Sequence, residues 1–265
     1  MNGDLEILLT NDDGIESPGF RAIYDALSDV GNVTAVAPAT DQSAVGRAIS
    51  NDVEVEEHEL GFAVHGTPAD CVVAGLQALG PEPDIVVSGC NRGANLGHYV
   101  LGRSGTVSAA VEAAFFGIPA IAVSLYVPFD PEDDRPWSEI DIPASDYAEA
   151  ARVTAFLTEH ALGAGVFAEA DYLNVNAPLP DDGPAPLEIT HPSHVYDMDA
   201  TVEEGTVSLH DRVWERMATG NIPDEEGTDR RAVVEGRVSI SPLTAPHTTR
   251  HHESLDALVE RYPGE

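Results

Sequence analysis

The chain has 265 residues, with 13 Lys+Arg against 46 Asp+Glu and a formal net charge of −33. That balance excludes a general nucleic-acid binder, which needs a Lys/Arg footprint for phosphate, and argues against an anionic membrane surface as partner. The length fits one or two domains, and 43% hydrophobic residues in regular runs supply a core, so disorder does not explain the charge.

All 13 basic residues are Arg and none is Lys. In concentrated salt the Debye length falls to about 3 Å at 1 M, which screens the self-repulsion of such a surface. Its carboxylates keep the chain hydrated and soluble. The composition therefore speaks of a salt-loving habitat rather than of an activity. Cys71 and Cys90 each sit in an apolar run and read as buried free thiols. No basic targeting region opens the chain and no stretch reaches about 18 uninterrupted apolar residues, so a cytoplasmic protein is expected.

In chain order, Leu5–Thr10 reads as a strand. Phe20, Ile23, Leu27 and Val30 follow at helical spacing, with Ser17 as cap and Pro18 in the first position. Val33–Ala37 is a second strand, and Thr67-Pro68-Ala69-Asp70 reads as a capping box opening a helix through Val72, Val73, Leu76 and Leu79. Ile85–Val87 is a strand, Val107–Phe116 a helix stopped by Gly117 and Pro119, and Ala120–Leu125 a strand. A helix over Tyr147–Ala161 and a strand over Tyr172–Asn176 complete the alternation. Continuous apolar strands alternating with helices predict an α/β fold, a three-layer αβα Rossmann-like sandwich around a mostly parallel sheet. The pattern changes after Ala177: residues 1–178 are expected as the core and 179–265 as a C-terminal extension or arm of the same unit. In it, Pro178–Pro186 reads as a turn-rich linker, Thr206–Leu209 and Val238–Ile240 as short strands, and Ser254–Val259 as a terminal helix. The acidic stretch Asp130–Glu139 and the histidines His247, His251 and His252 read as solvated, and Trp137 and Trp214 as packing residues.

Three loops carry candidate chemistry. Thr10-Asn11-Asp12-Asp13-Gly14 follows the first strand, where open α/β sheets bind ligands. Two adjacent carboxylates repel unless a cation lies between them, and Gly14 permits the bend that lets both face one ion. Hard oxygen ligands favour Mg²⁺, Mn²⁺ or Ca²⁺; an ordinary hydrophilic loop of an acid-rich protein is the competing reading. Ser88–Gly97 holds Asn91 and Asn95 among glycines, as a ligand-approaching or simply turn-rich loop would. Arg103-Ser104-Gly105-Thr106 stands immediately before a helix, either as an anion site at its N-terminus or as plain capping. The fold would bring all three to one edge. The chain lacks the phosphate loop of P-loop NTPases and the dinucleotide fingerprint after the first strand.

These residues resemble the SurE family of survival-protein nucleotidases. The resemblance is carried by Ile7–Gly14, Ala37-Pro38 followed by Ser43, Gly66–Cys71, Pro83–Gly89 and Asn91-x-Gly93-x-Asn95-Leu96-Gly97. It continues through Ser104–Val107, Asn174-x-Asn176-x-Pro178, Gly227-Thr228-Asp229 and Val238-Ser239-Ile240-x-Pro242-Leu243. It implies a divalent-metal-dependent phosphatase that hydrolyses nucleoside 5′-monophosphates. The alternatives are a broader 3′/5′-nucleotide or polyphosphate phosphatase and a metal- and nucleotide-binding module without turnover. It further implies one divalent cation per subunit, Mg²⁺ or Mn²⁺, held by Asp12, Asp13, Ser43 and Asn91. Asp12 or Asp13 would act as catalytic base. Phosphate would be received by Asn95, Ser104, Gly105 and Thr106. The implied assembly is a homodimer exchanging its C-terminal arm, or a homotetramer, with no nucleic-acid or membrane partner. Arg103 stands where the family often has Tyr.

Overall fold

The computed structural model describes residues 5–128, 140–181, 183–248 and 253–261. The Asp130–Glu139 stretch, Trp137, His251 and His252 lie outside them. A nine-stranded sheet runs in the order β3-β4-β2-β1-β5-β6-β7-β11-β8. Its strands are β1 (Leu5–Thr10), β2 (Gly31–Pro38), β3 (Glu54–His58), β4 (Gly61–His65), β5 (Ile85–Arg92), β6 (Ala120–Tyr126), β7 (Tyr172–Pro178), β8 (Leu187–Ile189) and β11 (Val238–Leu243). The six from β4 to β7 are parallel, while β3 and β11 pair antiparallel with β4 and β7.

Alternation along the strands builds two cores. Ile7 and Leu9 of β1 pack with Phe20, Ile23 and Leu27 of α1 (Pro18–Ser28) and Val153 of α5 (Ala148–His160). Leu8 and Val86 face the other way, against Val72 of α2 (Pro68–Ala74) and Val107 and Ala110 of α4 (Gly105–Phe115). Fully burying each such side chain contributes about 1.5–3 kcal/mol, and the result is the expected three layers. The predicted starts are present: Ser17 accepts from Phe20 N, and Thr67 and Asp70 form the reciprocal capping box. Cys71 and Cys90 are free and buried.

The sequence reading missed the hairpin β3–β4. Glu54-Val55-Glu56-Glu57-His58 carries one apolar residue, so no strand signal shows; an acidic edge strand also discourages pairing with other sheets. The region after Ala177 is also less separate than expected. β11 inserts beside β7, burying Val238 and Ile240 in the main core, and β8 adds outside it. What projects is the two-stranded ribbon β9 (Met198–Glu203) and β10 (Thr206–Asp211), with exposed Val202, Val207 and Leu209. Beyond it come α6 (Arg212–Ala218), α7 (Asp229–Val234) and α8 (Glu253–Val259). Val213, Met217 and Val233 of α6 and α7 pack on Ala94 and Leu96, with Trp214 partly buried beside them. This third cluster docks the C-terminal segment onto the loop after β5.

Candidate functional site

β2, β1 and β5 are neighbours, so the loops leaving Pro38, Thr10 and Arg92 emerge side by side at the carboxyl edge of the sheet. Hydrogen bonds tie all of them together. Asn11 Nδ2 donates to Gly14 O (2.9 Å) and Ser17 Oγ (3.0 Å), fixing the turn that carries the two aspartates. Gln42 N donates to Asp12 O (2.7 Å), bringing the β2 loop against that turn.

Each aspartate is then pinned by a different loop. Asp12 Oδ1 accepts from Thr106 Oγ1 (2.6 Å) and Oδ2 from Thr106 N (3.1 Å), at the N-terminus of α4. Asp13 Oδ2 accepts from Arg92 N (2.7 Å) at the end of β5. Gly105 is dictated by this approach, since a Cβ there would lie 2.8 Å from both Asp12 Cβ and its carboxylate oxygen. Burial pushes the Asp12 carboxyl up to about 6, against the pull of its two Thr106 bonds. Burial and then the charge of Asp12 push Asp13 up to about 7. Asp41 adds weaker repulsion to both, an influence from the neighbouring β2 loop that sequence reasoning missed. It stands two residues before Ser43, whose N–H donates to Asp41 Oδ1 (2.7 Å).

The donor set fits a hard cation. The buried Asp12 and half-buried Asp13 repel each other, and neither belongs to an ion pair among the described residues. In the same turn, Asn11 Oδ1 is buried without a hydrogen-bond partner. Among the described residues no three His, Cys, Asp or Glu side chains gather to hold a metal by themselves. The set is therefore mixed, with neutral oxygens beside the carboxylates. Asn91 sits where the register of β5 against β6 shifts, a bulge that re-aims its side chain. Its Nδ2 donates to Gly93 O, which leaves the amide oxygen as the atom it could offer a cation. Ser43 is exposed, and its side chain makes no bond to Asp12 or Asp13.

The residues expected to receive phosphate separate here. Ser104 Oγ caps α4 by accepting from Val107 N (3.0 Å), and Thr106 is committed to Asp12. Asn95 is buried, its Nδ2 donating to Ser124 Oγ (2.9 Å) and its N to Asn176 Oδ1 (2.8 Å). Its carbonyl accepts from Asn174 Nδ2 (2.9 Å) and Asn176 Nδ2 (3.2 Å). Buried amides satisfy one another in such a network, so the Asn95 side chain belongs to the frame of the loop.

Comparison with known proteins decides the family. The sequence model described as "Survival protein SurE" matches residues 7–198. The chain belongs to the SurE family. It is 65% identical over 256 residues to the "5'-nucleotidase SurE" of Haloarcula marismortui, covering 97% of this chain and 94% of that protein. It is 59% identical over 258 residues to the protein of the same name from Halobacterium salinarum, covering 97% and 98%. Both sources are salt-loving archaea, in line with a chain of −33 without Lys. The crystal structure of SurE from Aquifex aeolicus superposes with a TM-score of 0.78 at 29% identity, covering 96% of this chain and 99% of that one. Two SurE-like motifs that the sequence quoted without a role acquire one in the structure. Asn174 and Asn176 anchor Asn95, and Asp229 accepts from Gly97 N (2.7 Å).

Proposed function

We propose that this SurE-family chain is a divalent-metal-dependent 5′-nucleotidase that releases phosphate from nucleoside 5′-monophosphates. The observation that carries the reading is the pair of buried Asp12 and half-buried Asp13, each held by an N–H of a separate loop and each pushed above the ordinary carboxylate range. Two such charges call for a cation, and Asp12, Asp13 and Asn91, with Ser43 from the exposed loop, would hold Mg²⁺ or Mn²⁺, one per subunit. The chemistry a bound cation supplies is charge against the phosphoryl oxygens and a lower pKa for coordinated water. Thr106 fixes both oxygens of Asp12 and so orients it. Asp13 Oδ1 has no donor among the described residues, and it is the oxygen that would accept a proton from water. The N-terminus of α4, capped by Ser104, holds the phosphoryl charge through its dipole and the Gly105 N–H, which has no partner among the described residues.

Assembly belongs to the same reading. The exposed stripe Leu255, Leu258 and Val259 on α8 and the exposed Val202, Val207 and Leu209 on the ribbon are apolar surfaces that a homodimer or homotetramer would cover. No helix among the described residues is long and apolar enough to cross a membrane, and we place the enzyme in the cytoplasm with no nucleic-acid partner.

The experiment is phosphate release in molar KCl with Mn²⁺ or Mg²⁺ from 5′-AMP, 3′-AMP and polyphosphate. Preference for 5′-AMP is expected. Equal release from all three would replace the reading with a broader phosphatase, and binding without release would replace it with a non-catalytic module.

A further inference from the structure

Asp229 and Arg230 open α7, 132 residues from the loop that Asp229 grips. Neither touches the aspartate pair, yet both are completely buried, and Arg230 is the bulkiest fully buried side chain described. Asp229 Oδ2 accepts from Gly97 N (2.7 Å), and Oδ1 accepts from Ser193 N (2.9 Å) and Arg230 N (2.8 Å). Arg230 faces Asp224 at 3.4 Å and donates to Ser193 Oγ (3.2 Å), Val195 O (3.0 Å) and Leu96 O (3.4 Å). The pair thus takes hold of consecutive backbone groups of the site loop, Leu96 O and Gly97 N. Gly97 has φ +84°, and a Cβ there would strike the Arg230 guanidinium. Just beyond, His98 N donates to Ser193 O (2.9 Å) and Tyr99 Oη to Asp211 Oδ2 (2.5 Å).

A buried carboxylate with three N–H donors is a costly device, since losing one partner leaves the others desolvated. Its location is informative. The Asn91–Gly97 loop is anchored along its length: Arg92 N on Asp13, Asn95 on Asn174 and Asn176, Leu96 O on Arg230, and Gly97 N on Asp229. Asp13 lies in the turn after β1 and Asn174 and Asn176 in β7, whereas Asp229 and Arg230 bring in the C-terminal segment. Ala94 and Leu96, packed on Val213, Met217 and Val233, close the space around it.

We propose that Asp229, supported by Arg230, is a positioning residue for the reaction: it fixes the Asn91–Gly97 loop, and through it Asn91, against the Asp12–Asp13 pair. This rests on the site reading given above. Asp229→Asn is the sharp variant. It keeps the volume, but one carboxylate oxygen becomes an NH₂ that meets the N–H of Gly97 or Ser193, so one of the two grips is lost. Arg230→Lys is a second variant that keeps the positive charge beside Asp224 and shortens the reach to Leu96 and Val195.

The test uses the full chain in multimolar KCl and four readouts: metal-free melting, metal-free amide exchange, affinity for Mn²⁺ alone, and kcat and KM for AMP. For folded Asp229→Asn, amides over 91–101 exchange faster while the strands keep their protection. Mn²⁺ affinity falls about tenfold, as for an orienting partner behind a ligand. kcat falls by about tenfold to a hundredfold with a much smaller change in KM. Arg230→Lys moves each readout the same way by less. Folded Asp229→Asn with kcat within about twofold of wild type and unchanged exchange overturns the proposal. So does a loss of kcat that matches the unfolded fraction and disappears when KCl is raised. Should Asp229→Asn not fold, Arg230→Lys with wild-type exchange and Mn²⁺ affinity overturns it. If the wild type releases no phosphate, the nucleotidase reading fails by itself. Exchange and Mn²⁺ affinity then decide the positioning role, and no change in either overturns it.

Discussion

Replacing Asp13 by Asn should stabilise the metal-free protein at pH 8 while removing its activity. Burial and the Asp12 charge raise the Asp13 carboxyl from 3.8 to about 7. A carboxyl raised on folding holds its proton more tightly in the folded state. Its contribution to stability is therefore complete below pH 3.8 and is lost as pH climbs through about 7. At about 1.4 kcal/mol per pH unit, the interval from 3.8 to about 7 corresponds to a cost of about 4 kcal/mol for the ionised group at pH 8. Asn escapes that cost, which is already net of the charge-assisted bond from Arg92 N, but sets an NH₂ where the carboxyl had an oxygen, a mismatch of about 1 kcal/mol. Relief shared with Asp12 reduces the gain further, leaving a net of about 1–3 kcal/mol. For a chain of this size that is about 2–10 °C in melting midpoint. The assay is thermal melting in multimolar KCl with chelator at pH 8 and pH 4. At pH 4 the folded carboxyl is already protonated, so the difference should vanish. Saturating Mn²⁺ should reverse the order at pH 8, because wild type gains more from binding. An Asp13→Asn protein no more stable than wild type at pH 8 would refute the claim that the site stores repulsion between buried charges.

Asp12→Asn and Asn91→Ala should each abolish most phosphate release while circular dichroism stays near wild type and melting is not lowered, since both lie at strand ends outside the apolar cores. Thr106→Val removes the 2.6 Å bond to Asp12 Oδ1 and should weaken Mn²⁺ affinity about tenfold, read by direct metal titration. Gly105→Ala puts a Cβ 2.8 Å from the Asp12 carboxylate and should lower kcat about tenfold or more, measured at saturating AMP and metal. Lowering KCl toward about 0.1 M should dissociate the proposed oligomer and remove activity together, with Mn²⁺ delaying the loss; sedimentation and phosphate release over one KCl series decide it.

Much of the fold was legible because its strands are apolar runs and its helices carry explicit starts. Leu5–Thr10, Ser17-Pro18 and Thr67–Asp70 are local signals whose outcomes need no tertiary knowledge. Glu54–His58 and Met198–Glu203 stayed hidden because both lie at exposed edges where polar residues suffice. The return of Val238–Leu243 to the main sheet was illegible for another reason: six residues do not say whether they pair with a ribbon or with β7. At the site, the convergence of three loops followed from strand order, but the wiring did not. A sequence shows Thr106 beside Ser104 as capping residues, and only the fold shows Thr106 spending both its donors on Asp12. Asn95 looked like a ligand because it stands among glycines, yet the tertiary structure gives its amide to Ser124. Asp41 and Asp229 needed distance information, being one loop and 132 residues away from the groups they influence.

The most direct measurement is phosphate release from AMP by chelator-stripped enzyme in molar KCl as Mn²⁺ is added back, run beside Asp12→Asn. The account predicts no turnover in the stripped protein, saturable recovery with Mn²⁺ in wild type, and no recovery in Asp12→Asn at metal concentrations that saturate the wild type. Turnover that persists after stripping, or an Asp12→Asn enzyme that recovers to wild-type rates, would contradict the central claim that the Asp12–Asp13 pair holds the cation on which catalysis depends.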